Sequence, residues 1–138
     1  MRYENISLSL MLPCNPVVDV NQVKDILEEF DPRKVEPIEL IAHGERYIMG
    51  DGQHTACALI ARENSSAYSK ILETDDEFIR KAFLMIFHGV RTIDDFVRWY
   101  EREKKPQIAA RGINTIGDYF VVDPSFRELL SLEQTRNL

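Results

Sequence analysis

The sequence predicts an α+β fold: a small mixed sheet with helices, followed by a helical C-terminal extension. Three observations lead there. Alternating and β-rich runs are confined to the first half of the chain. Capping-box spacings and apolar stripes at helical period dominate the second half. No flexible linker separates the halves, and 138 residues suit a single core. Residues 1–75 are therefore read as the α/β core, and 76–138 as a helical extension packed on the same domain.

The elements follow in order. "NISLSLML", from Asn5 to Leu12, alternates as a strand does. "LPCNP" breaks it, because proline cannot donate to a ladder. In "DVNQVKDILEEF", Val20, Val23, Ile26, Leu27 and Phe30 fall on one helical stripe, with Asp19 or Asn21 as its cap. "PIELIA" and "RYIMG" read as a hairpin around His43-Gly44. A helix from about Gln53 to Glu63 follows, with Ala56, Leu59 and Ile60 facing the core. Ser69 to Thr74 supplies a further strand.

Beyond it, Thr74 with Glu77 has capping-box spacing, and Asp75 and Asp76 suit the positive end of a helix. Phe78, Ile79, Ala82, Phe83 and Ile86 form its stripe, His88 closes it and Gly89 ends it. Thr92 with Asp95 repeats the box ahead of Ile93, Phe96, Val97 and Tyr100. Asp123-Pro124 opens a last helix carrying Phe126, Leu129 and Leu130.

Composition bounds the function. The chain is 44% hydrophobic, which argues against disorder, and no apolar run is long enough for a bilayer. The N-terminus reads as a strand and not as a signal peptide, so a cytoplasmic protein without a membrane partner is expected. A net charge of −6 argues against broad nucleic-acid binding, though not against a local basic patch. Cys14 and Cys57 lack metal or CxxC spacing; a reduced protein is the simplest reading, with a disulfide left open. The histidines show no zinc-ligand spacing, and His43 reads as a solvated turn residue.

The stretch that points to chemistry is "YIMGDGQHTACALIA". A strand ends in Gly50-Asp51-Gly52 and a helix begins with Gln53, His54 and Thr55. A helix N-terminus leaves N–H groups free and carries partial positive charge. Gly52 lets the backbone approach a ligand closely, which makes an anion site with phosphate as the commonest guest. Gln53, His54 and Thr55 can each donate a hydrogen bond. Asp51 would repel a bare anion, so it is read as a cap, a sugar contact or a Mg²⁺ ligand beside phosphate. The same residues also make an ordinary turn with nothing bound.

The order strand, Pro-containing loop, helix, "PI" strand, strand, "DGQH" and alanine-rich helix resembles the ParB/sulfiredoxin superfamily over about residues 5–75. The likeness rests on Leu12-Pro13, the helix from Asp19, Pro37 to Leu40, and Asp51-Gly52-Gln53-His54-Thr55-Ala56. It implies a ParB-like domain that holds nucleotide phosphates at Gly52, Gln53, His54 and Thr55. The ligand would be ATP, ADP or CTP with Mg²⁺. If the domain turns over, the chemistry is phosphoryl transfer or phosphohydrolase/nuclease hydrolysis, with Asp51 as metal ligand or base and His54 positioning phosphate.

The sequence departs from the family in three places. Thr55 stands where the family has arginine, so charge must come from elsewhere, Lys24 or Arg46 being the candidates. Gln53 stands where sulfiredoxin has its cysteine, and Cys57 reads as packed, which excludes sulfiredoxin chemistry. Asn15-Pro16 replaces the glutamate expected of a serine kinase.

The alternative function is a non-catalytic protein- or DNA-interaction module of a plasmid, phage or DNA-partition system that has lost the ligand. Its candidate surface is the basic stretch with Arg98, Arg102, Lys104, Lys105 and Arg111. The plainer reading of that stretch is a solvated helix face with acid–base pairs, and Tyr100 in the core.

Overall fold

The computed structural model describes residues 2–81 and 89–136. The chain runs β1 (Arg2–Ser7), β2 (Met11–Leu12), α1 (Val20–Glu28), β3 (Ile38–His43), β4 (Arg46–Asp51), α2 (Gln53–Ala61) and β5 (Ser66–Leu72). Then come α3 (Asp75–Lys81), α4 (Ile93–Trp99), a π-helical turn (Tyr100–Lys104), α5 (Lys105–Ala109), α6 (Tyr119–Val122) and α7 (Pro124–Arg136). This is an α+β fold with C-terminal helices. The predicted stripe positions Ala82, Phe83 and Ile86, and His88, lie outside the described residues, as does the side chain of Ile79.

The five strands form one mixed sheet in the order β1-β5-β3-β4-β2. β1–β5 and β3–β4 pair antiparallel, whereas β3–β5 and β2–β4 pair parallel. The first predicted strand is in fact two. A 3₁₀ turn at Leu8–Leu10 divides it, so that β1 and β2 lie at opposite edges of the sheet. Alternation alone cannot reveal such a break, because Leu8 is buried on both readings. β5 begins earlier than expected, at Ser66, because its partner β1 extends to Ser7.

Asp19 caps α1, its side chain accepting from Asn21 N. α2 is buried nearly all round: Ala56, Cys57, Ala58, Leu59 and Ala61 are covered, where only one stripe was expected. Its small residues let α1 and α7 approach, and a helix apolar on every side belongs at the centre. The extension shares this core, which runs unbroken from Ile6 to Leu129. Arg62, at the end of α2, ties the two parts together. Its Nε lies 3.0 Å from buried Glu133 Oε2 and its Nη2 donates to Leu27 O at 3.2 Å.

Candidate functional site

The β4–α2 junction is built around a local irregularity. Asp51 pairs with Glu39 and Met49 with Leu40, so Gly50 is an extra residue on β4. A bulge of this kind re-aims the side chains beyond it. Gly52 then adopts φ +102°, the left-handed region, as the residue before α2. Glycine is required twice over here, since a Cβ would come within 3.2 Å of Ile38 Cγ1.

The side chains predicted to contact phosphate are turned to other work. Gln53 is buried, and its Oε1 accepts from Cys14 N at 2.5 Å and Asn15 N at 2.8 Å. His54 Nε2 accepts from Asp19 N at 3.2 Å, which places the ring proton on Nδ1. Asp51 Oδ1 accepts from Gly52 N at 2.8 Å. Gln53 and His54 thus hold the Pro-containing loop and the start of α1 against the α2 N-terminus. Tyr119 strengthens the same loop, its hydroxyl donating to Asn15 O.

The backbone N–H groups of Gln53, His54 and Thr55 have no acceptor among the described residues. Gln53 and His54 line a cavity of about 340 Å³, together with Cys14, Asp51, Trp99 and Lys104. Thr55 does not reach it. Asp51 is the sole carboxylate among the described lining residues, and Glu39 is its cross-strand neighbour.

The cation here comes from neither expected residue. Arg46 begins β4 and Asp51 ends it, so the two lie at opposite ends of the strand. Lys104 arrives instead from the π-helical turn of the extension, its Nζ 5.3 Å from the centre of the Trp99 ring. Its charge acts on Cys14, opposing part of a burial effect that still pushes that thiol up to about 11. Burial pushes the Cys57 thiol up to about 12. Both cysteines are free, and neither is primed as a nucleophile.

The rest of the basic stretch is largely paired. Arg98 contacts Asp95 at 2.7 Å, Arg102 contacts Glu103 at 3.1 Å and Lys105 contacts Glu101 at 3.2 Å. Tyr100 is buried in the core.

No family model matches the chain, and no curated protein matches it. Among solved structures it is similar to the crystal structure of protein Atu1540 from Agrobacterium tumefaciens. The identity is 14% and the TM-score 0.48, over 100% of this chain and 96% of that one.

Proposed function

We propose that the protein binds a phosphate-bearing ligand, a nucleotide such as ATP, ADP or CTP, in the cavity at the α2 N-terminus. One observation carries this reading. Backbone donors without acceptors and the Lys104 ammonium meet at the same hollow. Free amides at a helix start favour an anion, and a lysine supplies the point charge that Thr55 cannot. In this reading the backbone N–H groups of Gln53 and His54 contact phosphate beside Gly52, whose own N–H is held by Asp51, while the Gln53 and His54 side chains hold the cavity wall. Trp99 offers an aromatic surface at the rim.

Mg²⁺ fits as a companion of the nucleotide, because it is commonly held by one or two carboxylates plus phosphate oxygens. Asp51 Oδ2 would be its protein ligand, Oδ1 being engaged by Gly52 N. Bound there, the ion would neutralise phosphate charge for transfer or hydrolysis.

The test is a thermal-shift screen with ATP, ADP, CTP and GTP, each with Mg²⁺. A ligand selective for the native state raises the melting point, by about 2.7 kcal/mol of stability at a hundred times Kd. Lys104→Ala should remove the shift. A flat screen with the wild type sinks the reading.

A second reading is favoured by the inward commitment of Gln53 and His54. The turn then serves only the fold, and the extension is a protein- or DNA-interaction module in a DNA-partition, plasmid or phage setting. A flat screen, combined with a salt-dependent DNA shift lost on changing Lys104 and Lys105, would support it.

A further inference from the structure

A second cavity, of about 400 Å³, lies at the other end of β4, beneath the β3–β4 hairpin. Its volume is within the range of small-molecule sites. Leu12, Ile108 and Ile113 give it an apolar floor. Its polar wall consists mainly of donors: Arg46, Lys105, Asn114 and the Tyr100 phenol. Its one described carboxylate, Glu101, is already engaged by His43 at 2.6 Å and by Lys105 at 3.2 Å.

Tyr100 decides the chemistry of the guest. Its ring is buried, and its hydroxyl opens into the cavity, where no described residue hydrogen-bonds to it. Burial, with the nearby Glu101 charge, pushes this phenol up to about 12, so at neutral pH it is a donor seeking an acceptor. The Arg46 charge acts on the same phenol, and Arg46 has no ion pair among the described residues. An apolar floor beneath a ring of donors suits a ligand with a carbon body and an anionic acceptor end.

We infer that this cavity is a second ligand site, for small carboxylates with an apolar body. The carboxylate meets the Arg46 guanidinium and the Tyr100 hydroxyl, and the body rests on Leu12, Ile108 and Ile113. Arginine suits the role because its planar fork matches a carboxylate. The site shares no lining residue with the cavity at the α2 N-terminus, so it stands whether or not that cavity takes a nucleotide.

The test is a titration of the ¹⁵N-labelled protein with hexanoate, followed by amide shifts in two-dimensional NMR. Hexylamine, with the same body and the opposite charge, is the control. Saturable shifts centred on Arg46, Tyr100 and Asn114 are expected with hexanoate only. Tyr100→Phe keeps the ring and removes the hydroxyl; it should weaken hexanoate about tenfold, as should Arg46→Ala. The inference is overturned by non-saturable shifts, by an equal response to hexylamine, or by undiminished affinity in Tyr100→Phe. Should Arg46→Ala fold poorly, Tyr100→Phe alone decides.

Discussion

The Nε2 of His43 lies 2.6 Å from Glu101 Oε1, and this contact fastens the β3–β4 hairpin to the π-helical turn that carries Lys104. Two residues read from sequence as solvated thus join the sheet to the extension. The Tyr100 ring meets the His43 ring edge-on beside the contact, with centroids 6.3 Å apart. A π-helical turn adds a residue to the helical circuit and is often found where side chains must be re-aimed. Here it directs Glu101 to one cavity and Lys104 to the other.

The contact predicts a pH dependence. Partial burial acts to raise the Glu101 carboxyl, but hydrogen bonds from His43 and Lys105 outweigh it and hold the group below its ordinary 4.5. A carboxylate depressed in the folded state stabilises above its unfolded value, and that stability is lost as pH falls through the folded value. Urea unfolding between about pH 6 and about pH 3 should therefore show the wild type losing more stability than Glu101→Gln. Both side chains are about one-third exposed, so the difference should stay under about 1 kcal/mol. Parallel profiles for the two proteins would show that the contact carries no net stability.

Gln53 should prove structural before it proves functional. Its single oxygen receives two backbone amides of the Pro-containing loop. Gln53→Leu leaves both amides without an acceptor and should cost about 2–4 kcal/mol in chemical denaturation. Gln53→Glu keeps an oxygen in place, and a negative charge suits a helix start, so most of the stability should remain. Equal losses in the two variants would mean that side-chain shape, and not the acceptor, is what matters.

Gly52→Ala separates turn geometry from ligand chemistry. The φ of +102° costs an alanine about 1–2 kcal/mol, and its Cβ would also press on Ile38 at 3.2 Å. A fall in stability of at least that size is expected without any ligand present. Gly52→Asn, which tolerates the left-handed region better but carries the same Cβ, should recover only part of the loss.

What was legible in the sequence is what local chemistry decides. Asp19 before the α1 stripe, Thr92 with Asp95, and the hairpin at His43-Gly44 each act within a few residues, and each took its expected form. The strand-to-helix turn at Asp51–Gln53 was legible for the same reason. The use made of its side chains was not. A glutamine and a histidine at a helix start have the same donors and acceptors whether they face a phosphate or a neighbouring loop. Only the approach of Cys14, Asn15 and Asp19 settles which they face. Lys104 was hidden differently: it sat within a basic run whose members mostly pair locally, and the π-helical turn that carries it leaves no mark in a periodic pattern. Thr115 with Asp118 forms a reciprocal cap that was overlooked, because the 3₁₀ turn it starts is too short to show a stripe.

Tyr119 tests whether the extension shapes the candidate phosphate site. Its ring is buried 5.9 Å from that of Phe126, while its hydroxyl reaches across to donate to Asn15 O in the loop that walls the cavity. Tyr119→Phe preserves the ring packing and deletes only that bond. A loss of about 1–2 kcal/mol is expected in urea unfolding. The amides of Cys14 and Asn15 should also exchange faster with solvent, because only Gln53 and His54 then hold the loop. Faster exchange confined to this loop would show that the extension braces the cavity wall. Unchanged exchange would leave Gln53 and His54 as its sufficient support, and the phenol as an independent clasp on the core.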